Sequence, residues 1–435
     1  MKIDVMTKDK DIKTVVPPLR FPEFSENGEW TIVPLKKHAK LITEKAKNRN
    51  YMPLSVTSGV GLVSQMEKFG REIAGEQYKN YYVINKFDFA YNKSATTSYP
   101  EGYISMLKDF DRGAVPNSIF TCFSVDKNEI NPQYLDQLFQ DNFHGKWLRN
   151  YIEIGSRANG ALSIDSKILL NMLIPLPKLK EQLKIKDCLS CLDDLISAVA
   201  DKIETLKEYK KGLMQQLFPA EGKTTPAFRF PEFQNKGEWE EAILGDYVEI
   251  KGRIGYRGYT TNDIVEKGEG AISLSPTNIT DNGELIFNKC TYISWEKYNE
   301  SPEIILDRGY VVLVKTGSSY GKSALVKQLP QKTTINPQIV ILKPQKMNDV
   351  FLSLLISHNL IQKQISKAIV GGAIPTLSQD SISKFKILIP KIEEQKKIAE
   401  YLLSVDELIS TETDKLDQLK KHKKGLMQQL FPKLQ

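Results

Sequence analysis

Four cysteines, Cys122, Cys188, Cys191 and Cys290, are spread over 435 residues, too few for the disulfide framework that holds small secreted proteins together. Histidine is as sparse: His38, His144, His358 and His422 are scattered and share no metal-ligand spacing. Cys188-Leu-Ser-Cys191 matches C-x-x-C, but it has neither a partner pair for zinc nor a redox-fold context, and it reads as helix packing. No apolar run reaches the ~18–20 residues that span a bilayer. Met1–Lys13 is charged and lacks the apolar core of a signal peptide. The expectation is a cytoplasmic protein with no metal and no membrane partner.

Catalytic motifs are also missing. Asn131-Pro-Gln-Tyr134 approaches the Asn/Asp-Pro-Pro-Tyr/Phe motif of adenine methyltransferases, yet the second proline is absent and no glycine-rich cofactor motif precedes it. It reads as a helix start before Tyr134–Phe139. Gly317-Ser-Ser-Tyr-Gly-Lys-Ser323 is one residue short of a P-loop, and the ring of backbone amides that cradles phosphates depends on loop length.

What is present begins with an ordinary globular composition, 41% hydrophobic and 26% charged, in a chain long enough for two to four domains. The net charge of +7 permits a polyanionic partner without demanding one. The chain also repeats itself. Leu19-Arg-Phe-Pro-Glu-Phe24 recurs as Phe228-Arg-Phe-Pro-Glu-Phe233, and both lead to Gly-Glu-Trp, at Trp30 and Trp239. Lys210-Lys-Gly-Leu-Met-Gln-Gln-Leu-Phe-Pro219 reappears unchanged as Lys423–Pro432. Between these ends, Lys40–Asn159 and Lys251–Gly371 show little resemblance. A constant frame around a variable body suggests two similar modules with different targets.

Leu179–Lys211 and Ile392–Lys424 read as helices. Each follows a proline and ends near a glycine, Gly212 or Gly425, which weakens or ends it. Apolar residues recur at alternating steps of four and three: Leu192, Ile196, Val199, Ile203 and Leu206 in the first, Val405, Ile409, Leu416 and Leu419 in the second. That is a coiled-coil seam, and its natural partner is the other copy within the chain. Lys210, Lys423 and Glu412 intrude on it, either to set register or make room for a partner, or because the seam's end is solvated. Each helix spans roughly 50 Å at ~1.5 Å per residue, the length of about 15 base pairs of DNA. Acidic and basic residues nearly balance along both, so they read as a spacer and not as a DNA-binding surface.

Both bodies read as mixed α/β with short strands, Tyr310–Val314 and Gln338–Leu342 among them. Polar, glycine-bearing loops join the strands and mix cations suited to phosphates with side chains that reach base edges. The candidates are Lys45, Lys47, Arg49, Asn50, Tyr51, Thr57, Ser58, Lys93 and Ser94 in the first body. In the second they are Arg253, Tyr256, Arg257, Lys315, Ser318, Ser319, Tyr320 and Lys322. Ordinary solvated loops, or a plain hairpin turn at 315–322, remain the alternative.

Taken together, these features resemble the specificity subunit of a Type I restriction–modification enzyme. The resemblance rests on the doubled Phe-Pro-Glu-Phe and Gly-Glu-Trp, and on strands running into proline at Leu173–Pro177 and Ile387–Pro390. It rests further on the pairs Glu181-Gln182 and Glu394-Gln395, and on the long helices ending in Gly-Leu-Met-Gln-Gln-Leu-Phe-Pro. Gly371–Ser378 also matches the family's approach to the last strand, while Asn159–Ser163 is spaced differently. The resemblance implies an α+β fold with a pseudo-two-fold internal repeat, in which two target-recognition domains are separated by two long antiparallel helices. The divisions are an N-terminal tail (1–18), recognition domains (19–177 and 220–390) and spacer helices (178–219 and 391–435). It implies double-stranded DNA and two modification subunits as partners. Those subunits would use S-adenosylmethionine to methylate adenine N6, and a restriction subunit, where present, would use ATP and Mg. No cofactor or catalysis would belong to this chain. The competing readings are a stand-alone adenine-N6 methyltransferase and a two-domain protein-binding scaffold.

Overall fold

A computed structural model describes residues 13–57, 59–152, 157–158, 161–369 and 376–433. The chain divides into two compact units, Met1–Ala200 with Asp414–Gln435, and Asp201–Thr413. The structural units are therefore not the sequence repeats. Each long helix, Leu179–Leu217 and Ile392–Leu430, contributes one half to each unit.

In the first unit, Trp30–Pro34 lies between Thr14–Val15 and Leu173–Leu176 in an antiparallel sheet. The segment expected as a tail thus supplies a short strand. Pro175 sits in the edge strand, where a missing N–H breaks no ladder. A second sheet runs in the order Ala39–Leu41, Phe120–Val125, Phe89–Asn92, Tyr103–Met106, all antiparallel. A third runs Gly61–Ser64, Met52–Thr57, Arg112–Val115, Tyr82–Asn85, with a parallel pairing of Met52 to Gly113. Phe89 stacks on Phe123 at 5.1 Å, and Phe139 meets Phe89 edge-on. Helix Pro132–Gln140 starts where the Asn131 side chain accepts the Tyr134 N–H, so Asn131-Pro-Gln-Tyr134 is a helix N-terminus, as expected. Ile185 and Leu189 of the first long helix, Met427 and Leu430 of the second, and Phe431 just beyond it complete this core.

The second unit repeats the architecture. Its large sheet is ordered Val248–Gly252, Ile339–Pro344, Val311–Val314, Ser323–Leu325, with the same succession of antiparallel pairs. Val311–Val314 is buried throughout, which explains its unbroken apolar run. The strand pairs with Ser323–Leu325, so Gly317–Ser323 is a hairpin turn and its first strand leads into a second, not into a helix. The remaining sheet places Ile264–Val265, Thr291–Ser294, Gly270–Leu274 and Thr333–Ile335 side by side, the last two parallel. Both units therefore share a hairpin plus one parallel strand. The fourth strand is added at opposite edges: next to the parallel strand in the first unit, next to the hairpin's second strand in the second. Leu213 and Leu217 of the first long helix, Phe218 just beyond it, and Ile398, Leu402 and Val405 of the second enter this core.

Both helices run past the glycines at which the sequence suggested they weaken or end. A glycine inside a helix costs about 1 kcal/mol. Burying Leu213 and Leu217, or Met427 and Leu430, returns roughly 1.5–3 kcal/mol per side chain, so the helices continue to within two residues of Pro219 and Pro432. Each has 39 residues and is about 58 Å long at ~1.5 Å per residue, longer than the sequence suggested. In the second unit Lys202 pairs with Glu412 and Lys210 with Asp406, each at 2.6 Å, so the two segments run antiparallel. In the first unit Lys423 pairs with Asp193 at 2.5 Å and donates to Gln140 at 3.1 Å. The polar residues that interrupt the seam are thus ion-paired inside their own units. Val199, Ile203 and Val405 of the seam are buried, while Leu192, Ile196, Leu206, Ile409, Leu416 and Leu419 are half-buried.

Candidate nucleic-acid interface

Residues of the repeated frame form one lock per unit. Arg20 grips Glu181 with two bonds of 2.8 Å, and the Trp30 indole N–H donates to the same carboxylate at 3.0 Å. Arg229 grips Glu394 at 2.8 and 2.7 Å, and Trp239 donates to it at 3.3 Å. The hydrogen bonds to the carboxylate raise the pKa of each arginine, against the opposing effect of burial. A further donor of each guanidinium reaches the carbonyl of Gly28 or Gly237. The adjacent glutamines secure a helix in each body. Gln182 accepts the Asn131 N–H and donates to the Pro177 carbonyl; Gln395 does the same with Asn348 and Pro390. Asn131 and Asn348 are both helix N-caps. Lys184 with Glu23 and Lys397 with Glu232 add an outer pair to each lock. Arg-Phe-Pro-Glu-Phe, Gly-Glu-Trp and Glu-Gln are therefore parts of a single device that fixes the body to the start of its long helix.

On the first unit the structure brings five candidates together on one segment. Lys45, Lys47, Arg49 and Asn50 are exposed and Tyr51 is half-buried. Lys45 bridges Tyr82 through its backbone. Lys47 adopts φ 53° and donates its N–H to the Lys79 carbonyl. The Tyr78 hydroxyl accepts the Tyr51 N–H at 2.6 Å and lies 3.1 Å from the Arg49 carbonyl, which ties the segment down. Arg112, which the sequence reading missed, joins this cluster: it lies over the Tyr51 ring, as Arg49 does. No local pattern marks Arg112, because the Met52–Gly113 strand pairing carries it there. The other candidates belong to separate turns. Thr57 ends a hairpin strand, and Ser58 lies outside the described residues. Lys68, also missed, secures this hairpin by donating to the Val56 carbonyl at 2.6 Å, and its burial lowers its pKa. Lys93 and Ser94 are half-buried beyond Phe89–Asn92, where Ser94 donates its N–H to the Asn92 side chain.

The second unit treats its candidates differently. Arg253 is buried and spends its donors on the carbonyls of Ile335 and Arg257 and on Thr334 Oγ1, at 3.2–3.3 Å. Burial lowers its pKa. Arg257 is half-buried and donates to the Glu300 carbonyl; the Tyr256 side chain lies outside the described residues. The hairpin turn gathers the rest. Ser318 is exposed, Ser319 is half-buried, and Tyr320 packs against the core. Lys322 pairs with Asp281 at 2.5 Å. Lys315 is half-buried, which lowers its pKa. Residues 159–160 and 370–375, in the two turns aligned at the ends of the bodies, lie outside the described residues.

Among the described residues no group of His, Cys, Asp or Glu is placed to hold a metal, and no helix is long and apolar enough to cross a membrane.

A family model described as the Type I restriction modification DNA specificity domain matches residues 30–208 and 236–421. Among curated relatives, the Type I restriction enzyme MjaVIII specificity subunit of Methanocaldococcus jannaschii is 27% identical over 66% of this chain and 67% of its own. The putative MjaX specificity subunit of the same organism is 28% identical over 70% of this chain and 68% of its own. Among solved structures, the S subunit of a Type I restriction–modification system from M. genitalium aligns with 97% of this chain and 100% of its own. Its TM-score is 0.56 at 15% identity. A chain from a structure on assembly and conformational transition of the type I R-M system aligns over 92% and 97%, with TM-score 0.54 at 17% identity. These two likenesses are likenesses of fold.

Proposed function

This chain belongs to the family of Type I restriction modification DNA specificity domains, and on that premise we propose that its two units read the two halves of a bipartite DNA site. Its place in the family makes it the DNA-recognising, non-catalytic component of a restriction–modification system. The comparisons support neither a stand-alone methyltransferase nor a protein-binding scaffold.

One observation carries the proposal: the same lock, Arg20–Glu181–Trp30 and Arg229–Glu394–Trp239, mounts two bodies whose loops carry different side chains. Equivalent mounts suit equivalent partners. Two modification subunits dock on the repeated frame and the long helices, bring S-adenosylmethionine, and methylate adenine N6 after flipping the base out. A restriction subunit, where present, brings ATP and Mg. This chain supplies no cofactor and works in the cytoplasm. Its cations position the duplex through phosphates, and the loop polar groups read base edges. The long helices set the gap between half-sites. Inserting one heptad into both helices, after Ala200 and after Thr413, adds about 10 Å at ~1.5 Å per residue. The methylated site then gains about three base pairs of gap with both half-sites unchanged. An unaltered gap contradicts the ruler.

A further inference from the structure

We propose that Glu44 is a specificity gate: its carboxylate occupies two arginines that would otherwise bind phosphates of any sequence, and only a matching half-site displaces it. The proposal rests on the DNA reading above and adds a residue that governs it. Glu44 Oε1 lies 2.7 Å from Arg49 Nη2, and its Oε2 lies 3.6 Å from Arg112 Nη2. Both guanidinium carbons sit over the Tyr51 ring, 5.4 and 5.2 Å from its centre. One carboxylate thus holds two planar forks side by side on one aromatic platform. Such forks bind a guanine edge or a phosphate in bidentate fashion.

The magnitudes favour an exchangeable contact. All three side chains are 42–51% exposed, and ion pairs at that exposure are weak enough for a competing anion to replace. The surroundings are hydrogen-bonded where the gate is exposed. Tyr51 is held by the Tyr78 hydroxyl, and Arg112 stands at the start of a paired strand. Among the described residues, the exposed neighbours Lys45, Lys47 and Lys79 show no carboxylate within ion-pair distance, so they are available to attract the duplex. A phosphate backbone offers the two forks one charge at a time and must compete with Glu44 for them. A matching base edge adds hydrogen bonds that a random sequence does not.

The test is DNA binding by the full chain with its modification subunits, on a duplex carrying the methylated site and on one without it, across a salt series. Glu44→Gln should tighten binding to the non-matching duplex severalfold and steepen its log–log salt slope by about one. The ratio between the duplexes should fall. Glu44→Asp, which keeps the charge, should retain the wild-type slope. Arg112→Gln should weaken binding to the matching duplex at least tenfold. Unchanged affinity and slope for Glu44→Gln on the non-matching duplex overturn the gate while the DNA reading stands. A wild-type complex with no preference between the duplexes overturns both.

Discussion

The two units hold the same lock in the same place and treat their loop cations in opposite ways. In the first, Lys45 and Lys47 stand exposed on one segment, and Arg49 beside them pairs with Glu44 at the surface. In the second, Arg253 is buried and spends its donors on the carbonyls of Ile335 and Arg257 and on Thr334 Oγ1. The sequence pattern, a cation in a polar loop, is alike in both; what differs is whether the fold supplies acceptors inside. The third sheets teach the same lesson. A shared three-strand core takes its fourth strand on opposite edges, so the part that supports the fold is held constant while the rim is remodelled. The repeated frame is constrained by packing within the chain itself, because Leu217 and Phe218 enter the second unit's core and Leu430 and Phe431 the first's.

The strongest way to break the equivalence of the locks is to remove their carboxylates. Glu181 and Glu394 are almost wholly buried, and truncation strands an arginine and a tryptophan N–H. Glu181→Ala and Glu394→Ala should each cost about 3–5 kcal/mol, measured by urea unfolding. A cost in one unit and not in the other would show that the locks are not equivalent.

Acid should separate the units next. Burial lowers the pKa of His144 to about 4, whereas an unfolded imidazole titrates near 6.5. The folded value is depressed, so the unfolded chain takes up the proton first. The contribution is complete above about pH 6.5 and shrinks as pH falls towards 4, by up to roughly 3 kcal/mol. His358 of the second unit, stacked on Phe218, is also lowered by burial. Urea midpoints measured from pH 7 to 4 should lose part of their slope in a His144→Leu variant, with the contribution of His358 retained; a wild-type slope would remove His144 from the account.

The smallest contrast lies in the helix pairs. Lys423 is buried, faces Asp193 and also donates to Gln140, whereas Lys210 is half-buried and faces Asp406. Lys423→Met should therefore cost about 1–2 kcal/mol and Lys210→Met less than about 1 kcal/mol. Equal melting temperatures for the two variants would show that burial does not distinguish the pairs.

How far the sequence could be read follows from the same physics. The duplication and the long helices were legible, because lock residues must recur by identity and a seam by spacing. The helix ends were misjudged at Gly212 and Gly425, where the penalty of a glycine is local and the compensating burial of Leu217 and Leu430 is tertiary. The common sheet order of the two bodies left no mark, because a buried strand asks for apolarity and not for particular residues. At the interface, Arg112 was missed because strand pairing alone brings it to Tyr51. The burial of Arg253 was invisible because its acceptors, at Ile335 and Thr334, lie some eighty positions away along the chain.

The most direct measurement exchanges one body. Residues 40–159 are replaced by the corresponding segment of another family member, and methylated adenines are mapped across host DNA. One half of the site should change, with the other half and the gap retained. A change in both halves, or in neither, would contradict the claim that each unit reads its own half.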